Sequence, residues 1–554
     1  MTSTLVDWLE ASLADSSQRV RVFAAGEAIE EVPWSAVYRS ALRRSAALQH
    51  LGVEPGDRVA VLGSTTLPLV ETLLATWLAG ATSVVLPLPL RFTSAASFAD
   101  TTRARVVEAG IGVVYGDPQH HEVIDALPKN VRAEVLMPTP VTSEVVEPVA
   151  VDPAATAILQ FTSGSTAHPN AVRLSHRAVT ANARAMGEAA SFGPDDHFVS
   201  WLPLYHDMGL IGTLLNPMLA GAGATLLPTS SFMAAPRLWM HAISSARGTV
   251  TAAPNFAYAL ASRVLGRGSE LDLSSLRAAF CGAEPIAPAT LSDFGASGQR
   301  HGLRRGVLLP CYGLAEATLA VSIAPLGRVL WVDAVDRTAL LEHGSARPTA
   351  AATASGPRTK TVELVSLGLP LRGTAVRVVG GDGYELGERE VGELQVASSS
   401  LMDGYLDASE PASVGGWLPT GDVGYLADGE VFVCGRVKDL IIVNGHNVHP
   451  HEVEAVAERV PGVRMGGTVA FSVDDSGGHE SIVVLCESRA GPGNHGTISA
   501  EVRRLVSEAI GVSPSHVGVL RPRQVPKTTS GKRQRQLARE RFLAGTFDLG
   551  GSTR

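Results

Sequence analysis

A largely apolar run, Ala155 to Phe161, opens directly into Thr162, Ser163, Gly164, Ser165 and Thr166 within the stretch QFTSGSTAHPNAVR at 160–173. Hydroxyls and backbone N–H groups on a loop that leaves a strand can converge on phosphate oxygens, and Gly164 lets the backbone approach them closely. The chemistry this suits is the holding of nucleotide phosphates. Clusters of Ser, Thr and Gly also make plain solvent loops, and the GxxxxGK[ST] pattern is absent. The rest of the chain has to decide.

The elements that must carry such a loop are legible around it. WSAVYRSALRRSAALQHLG has helical apolar spacing, RVAVLG is a short buried strand, LVETLLATWLAG is helical and TSVVLPL is again a strand. After the loop, HRAVTANARAMGEAA predicts a helix, and TVTAAP, LRAAFCG and GVLLPC predict strands. Such alternation implies an α/β fold, a large N-terminal domain of helix-wrapped sheets with polar residues gathered at the carboxyl ends of the strands. Residues 333–362 turn rich in Ala, Thr, Ser, Gly and Pro, which predicts an insertion or mobile loop, at least in its second half. From 363 on, VELVSLG, AVRVVG, VGELQVA and EVFVCG predict a β-rich subdomain. Beyond GRVKDLIIVNG a compact α+β unit starts afresh, so we place domains at 1–437 and 438–554.

With 554 residues, the chain is longer than one core can serve. Hydrophobic residues make up 45% and charged residues 18%, and the net charge of −8 gives no electrostatic case for nucleic acid or an anionic membrane as the main partner. The start has no basic region followed by an apolar one, and apolar runs elsewhere are too short for a membrane span, so the cytoplasm is the expected location. Cys281, Cys311, Cys434 and Cys486 are scattered without metal-ligand spacing, which predicts free thiols.

The loop does not stand alone. CGAEPI (281–286), CYGLAEATLA (311–320), TGDVGY (420–425), GRVKDLIIVNGHNVHP (435–450) and PKTTSGKRQR (526–535) follow it. In this order the motifs strongly resemble those of the acyl-adenylate-forming ligases, relatives of acyl-CoA synthetases, firefly luciferase and peptide-synthetase adenylation domains. HDMGLIG (206–212), APNFAYAL (253–260), YGLAEATL and KDLIIVNG look most like the fatty-acyl-AMP ligases. Where most relatives end the loop in Gly, Pro, Lys, Gly, this chain has Ala167, His168, Pro169, Asn170 and Ala171. Fatty-acyl-AMP ligases likewise lack that lysine and carry an extra segment before a strand like VSLG.

The resemblance implies attack of a carboxylate oxygen on the α-phosphorus of ATP, with Mg²⁺ helping to neutralise two anionic reactants. By the same resemblance Glu316 helps hold Mg²⁺; a solvated carboxylate at a helix start is the plainer alternative. Tyr312 would stack on adenine beside Gly313, the alternative being a core tyrosine whose hydroxyl is satisfied by a neighbour, and Gly282, Ala283 and Glu284 would line the base pocket with backbone atoms. Asp422 would accept hydrogen bonds from the ribose hydroxyls, although Asp after Gly is often a turn residue. Arg436 would reach the nucleotide, and Lys438 corresponds to the hinge between domains. His206 would lie near the acyl carboxylate with Asp207, Met208, Asn255 and Phe256 close by, the alternative being a hydrogen-bonded structural histidine.

Lys532 resembles the catalytic lysine that the small domain brings over the site. It stands among Arg521, Arg523, Lys527, Arg533, Arg535, Arg539 and Arg541, with Glu540 opposing, so an exposed basic face is the other reading. That face would suit an acidic acyl carrier protein, the acceptor the resemblance implies. The rivals are an acyl-CoA ligase, which shares the nucleotide motifs, and a catalytically silent nucleotide-binding subunit.

Overall fold

The computed structural model describes residues 4–547 apart from 25–26, 90–93, 138–141, 163–169, 267–269, 350–360, 407, 409–412, 444–445, 475–479 and 529–531. Two large sheets dominate its first part. In one, Arg132–Val135, Val113–Gly116, Arg58–Leu62, Thr82–Val85 and Thr156–Phe161 lie side by side in parallel, and Ala171–Ser175 closes the edge antiparallel. The other has nine strands, parallel through His197–Ser200, Val250–Ala253, Ala278–Cys281 and Leu308–Gly313. These central strands are buried on both faces, so they read as short continuous apolar runs rather than alternating ones.

The flanking helices are cut to fit this core. Thr66 accepts the Leu69 N–H and Pro68 sits in the first turn, after which every position but one from Leu67 to Leu78 is buried. The helix His176–Ala190 buries one face and ends on Ser191 in the left-handed conformation. The principal hydrophobic cluster runs from Leu5 to Leu418.

A four-stranded antiparallel sheet follows, built from Thr374–Val379, Gly392–Ser398, Leu418–Ala427 and Glu430–Arg436. Ahead of it, Val332–Asp336 pairs with Thr361–Val365 and leads into the helix Arg337–Glu342, so the first half of the expected loop is ordered structure. Its Ala- and Thr-rich remainder, 350–360, lies outside the described residues. After the turn Val437–Asp439, a further cluster draws its residues from Ile441 to Val519, around the strands Val463–Asp474, Glu480–Ser488 and His516–Leu520.

Among the described residues no helix is long and apolar enough to cross a membrane. All four cysteines are free.

Candidate active site

A continuous cleft of about 3390 Å³ opens at the carboxyl ends of the parallel strands, where α/β sheets place ligands. Its lining includes Thr162, His206, Asp207, Met208, Asn255, Phe256, Gly282, Ala283, Glu284, Tyr312, Gly313, Glu316, Asp422, Arg436, Lys438 and Lys532. Residues more than 300 positions apart in sequence therefore face one space. Of the phosphate loop, Ser163, Gly164, Ser165 and Thr166 lie outside the described residues. Their anchors are described: the Thr162 N–H and hydroxyl both donate to the Asn170 carbonyl, at 3.0 and 3.2 Å, closing the hairpin from which the loop projects.

Beyond Ala278–Cys281 the backbone is crowded. A Cβ on Gly282 would stand 2.9 Å from Cys311 Sγ, and Ala283 takes a φ of 68° in the left-handed region. Glu284 then turns back so that its Oε1 accepts the Phe256 N–H at 2.6 Å, while Asn255 Oδ1 accepts the Ala287 N–H at 3.2 Å. These two side chains staple neighbouring loops together, a positioning task that the motifs did not disclose. Burial pushes the Glu284 carboxyl up, against the pull of Arg533, Lys532 and Lys527.

Tyr312 is only 8% exposed, and its hydroxyl donates to Asp422 Oδ2 at 2.7 Å. Arg436 Nε donates to Asp422 Oδ1 at 3.0 Å, and this carboxylate raises the Arg436 pKa further. Asp422 is thus held from both sides. A carboxylate offers about four acceptor positions, so each oxygen retains room for a further donor.

Glu316 occupies a single 3-10 turn, Ala315–Ala317. The turn is forced: a Cβ on Gly313 would overlap the Leu319 carbonyl, and Thr318 is held at φ 71° with its hydroxyl on the Ser400 carbonyl at 2.6 Å. Tyr405 donates its hydroxyl to Glu316 Oε1 at 2.9 Å. The residues around Tyr405 run along Ala171–Ser175, with Asp403 N–H on the Arg173 carbonyl and Leu406 N–H on that of Ala171. Tyr405 therefore couples Glu316 to the strand that receives the phosphate loop. Neither its residue type nor its spacing from Glu316 marked it in the sequence.

On the opposite wall, HDMGLIG folds into a π-helical segment, Met208–Leu215, capped by Asp207, whose Oδ1 accepts the Met208 N–H at 2.7 Å. Gly209 is required there because a Cβ would strike the Pro203 carbonyl. His206 Nδ1 lies 2.5 Å from Asp207 Oδ1. Burial would raise the Asp207 pKa, but His206, Lys532 and the Met208 N–H outweigh it and hold the carboxyl below its usual range.

Lys532 is clamped through its backbone. Its N–H donates to Thr528 Oγ1 at 3.0 Å, and the Thr528 N–H donates to its carbonyl at 2.7 Å. Burial lowers the pKa of its ammonium; Asp207, Glu284 and Asp422 pull it back up, while Arg436 adds to the lowering. Carboxylates from three separate segments thus act on the ammonium, that of Asp422 from within the strand Leu418–Ala427.

The lining of the cleft also includes the apolar side chains Met186, Phe192, Val250, Ala252, Phe280 and Ile323. Phe256, another lining residue, packs edge-on against Trp201, with ring centroids 6.1 Å apart.

The basic terminal run departs from the expected exposed face. Arg535 forks onto both Glu454 oxygens at 2.9 Å and reaches Asp439 at 2.7 Å, Arg533 pairs with Glu458 at 2.7 Å, and Arg539 Nε donates to the Ser472 carbonyl at 3.0 Å. These cations fasten the helix Arg535–Leu543 to the strand Val463–Asp474 and the helix Pro450–Ala457, which is why so basic a run coexists with a packed interior.

This fold and cleft define an adenylating enzyme, and the chain belongs to the AMP-binding enzyme family, whose model matches residues 9–406. Within it the protein is an acyl-adenylate-forming ligase of the fatty acyl-AMP ligase type. The relatives agree. Rv1013 of Mycobacterium tuberculosis, named as a ligase without a stated substrate, is 38% identical over 91% of this chain and 93% of its own. The medium-chain-fatty-acid–[acyl-carrier-protein] ligase JamA of Moorena producens is 33% identical over 71% of this chain and 68% of its own. The long-chain-fatty-acid–AMP ligase FadD26 of Mycobacterium marinum is 31% identical over 94% and 92%. A solved structure from a study of fatty acyl-adenylate ligases of E. coli and L. pneumophila superposes with a TM-score of 0.87 at 31% identity, covering 98% of both chains.

Proposed function

We propose that the protein joins a fatty or similarly apolar acid to AMP and then passes the acyl group to the thiol of an acyl carrier protein. In the first step a carboxylate oxygen attacks the α-phosphorus of ATP, and the bond to the β-phosphate breaks to release pyrophosphate. In the second the thiol sulfur attacks the acyl carbon, AMP departs and the thiol proton is lost. The observation that carries this reading is that Lys532 lines the same cleft as Asp207, Glu284 and Asp422, whose charges act on its ammonium, and as the apolar side chains Met186, Phe280 and Ile323. In this reading an acyl chain lies on those apolar side chains, its carboxylate beside His206, and the ammonium bridges it to an α-phosphate oxygen.

In this proposal Asp422 takes the ribose hydroxyls on its remaining acceptor positions, aligned by Tyr312 and Arg436. With its hydroxyl bound to Asp422, Tyr312 offers only its ring to the adenine, beside Gly282, Ala283 and Gly313. The residues also fit Mg²⁺. No group of three acidic, His or Cys side chains able to hold a metal occurs among the described residues, and a Mg²⁺ carried on substrate phosphates needs only one protein carboxylate. Glu316 supplies it, and the bound ion would offset phosphate charge during the attack. Replacing Tyr405 by Phe removes the hydrogen bond that orients Glu316, so we expect kcat/KM for ATP to fall about 10-fold or more. The Mg²⁺ concentration for half-maximal rate should rise with it, as read from magnesium titrations.

We assign residues 438–554 as a separate lid and Lys438, exposed in the turn Val437–Asp439, as its hinge. Two features favour a carrier protein over CoA. The loop lacks its lysine, and the segment after Val332 is tied to the lid, because Arg337 forks onto Glu452 at 3.0 and 3.1 Å. Such a tie resists the rotation that CoA thioester formation requires in related ligases. JamA, named for a carrier-protein acceptor, supports the same choice. The test is incubation with ATP, acids of graded chain length, and either CoA or a phosphopantetheinylated carrier protein. The acylated carrier-protein thioester should accumulate; robust acyl-CoA formation would instead assign the acceptor to CoA, and absence of any acid-dependent pyrophosphate release would leave only the silent subunit.

A further inference from the structure

The cleft extends over the carboxyl ends of the strands Arg58–Leu62, Thr82–Val85 and Thr156–Phe161. The helix Ala95–Glu108 covers this end, and Ser97, Thr101 and Arg105 line the cleft from one face of it, spaced four residues apart. The Arg105 guanidinium carbon lies 5.8 Å from the centroid of the Phe161 ring, the residue that leads into Thr162. Its Nε is buried without a hydrogen-bond partner, and among the described residues it forms no ion pair. Burial weakens its hold on its proton, with Glu108 in the same helix as the opposing influence.

An unpaired, partly buried guanidinium costs stability unless an anion joins it. Its planar fork matches phosphate oxygens two at a time, and an aromatic face holds that fork in place. The anion must reach it from the cleft, which Thr65 and Ser97 also line with hydroxyls, while those of Thr101 and Thr162 already donate to the Ser97 and Asn170 carbonyls. Of the anions in adenylate formation, the triphosphate tail is the one that Arg105 can meet, because Arg105 stands on Phe161, next in sequence to Thr162, where the phosphate-binding motif begins. The chain also lacks the lysine that most relatives place in that loop.

We infer that Arg105 binds the β- and γ-phosphate end of ATP, and the pyrophosphate that leaves, from the N-terminal side of the phosphate loop, taking over charge that a loop lysine supplies elsewhere. This rests on the adenylation reading above, so its test includes a binding measurement that needs no turnover. Inorganic pyrophosphate is titrated calorimetrically into the full chain and into Arg105→Met and Arg105→Lys, beside a nonhydrolysable acyl-sulfamoyl adenosine that has no β- or γ-phosphate. We expect Arg105→Met to weaken pyrophosphate binding 10-fold or more, Arg105→Lys to fall between it and the parent, and the adenosine analogue to bind all three within twofold. KM for ATP should rise in parallel with the loss of pyrophosphate affinity. Pyrophosphate affinity unchanged within twofold in either folded variant overturns the inference, and equal weakening of the analogue overturns it too, because that marks a structural role. Failure of the adenylation reading looks different: the parent chain then shows no acid-dependent pyrophosphate exchange with any acid, whatever Arg105 binds.

Discussion

Lys532→Ala is expected to slow acid-dependent ATP–pyrophosphate exchange by about 10² to 10³, the range found when one preorganised donor to transition-state charge is removed, roughly 3 to 4 kcal/mol. The loss should fall on kcat, because in the proposed reaction the nucleotide keeps Asp422, Arg436 and the phosphate loop, and the charge that Lys532 meets grows only as carboxylate and phosphate close on each other. Transfer of the acyl group from preformed acyl-AMP should change far less, since no new bond to phosphorus forms there. The pH profile gives an independent check. Burial lowers the Lys532 pKa from the ordinary lysine value, although Asp207, Glu284 and Asp422 counter it. The protonated form is the active one, so exchange is lost as pH rises through the folded-state value, and that alkaline limb should lie below the ordinary lysine range. An exchange rate within threefold of the parent in Lys532→Ala would remove the central charge from the mechanism.

Much of this site was legible in the sequence because chemistry and backbone geometry fix residue types locally. The parallel α/β arrangement followed from apolar runs at strand length, and the motifs at strand ends followed from where such sheets bind ligands. Partnerships across long separations were not legible. Tyr405 and Glu316 are 89 residues apart, Tyr312 and Asp422 are 110 apart, and nothing in either local pattern names the other. Glu284 read as base-pocket lining through its backbone, a reading that left its carboxylate unassigned; that carboxylate accepts the Phe256 N–H, a bond that exists only once two strands align. The π-helical turn of HDMGLIG escaped periodicity because Gly209 answers to the Pro203 carbonyl and Gly212 to the Leu319 side chain.

The basic terminal run gives the sharpest case, since composition suggested an exposed docking face and the fold places acidic partners beneath it. Arg535→Glu should therefore destabilise the lid rather than merely weaken carrier docking. Glu454 is only 1% exposed at its side chain, and its oxygens accept the Arg535 fork together with the Ala470 N–H at 3.1 Å. Reversal removes that fork and sets a third carboxylate between Glu454 and Asp439. Breaking a buried pair in this way costs roughly 3 to 5 kcal/mol, and the repulsion adds to it. Arg533, at 3.4 Å from Glu454, limits the damage without replacing the bidentate contact. Arg541→Glu, on the exposed side of the same helix, should stay within about 0.5 kcal/mol of the parent. Denaturant midpoints of the two variants compare directly. If Arg535→Glu unfolds with the parent's midpoint and loses only carrier acylation, then the cation serves a partner after all; a large drop in midpoint with Arg541→Glu unaffected means that its charge is spent inside the protein, binding the terminal helix that follows Lys532.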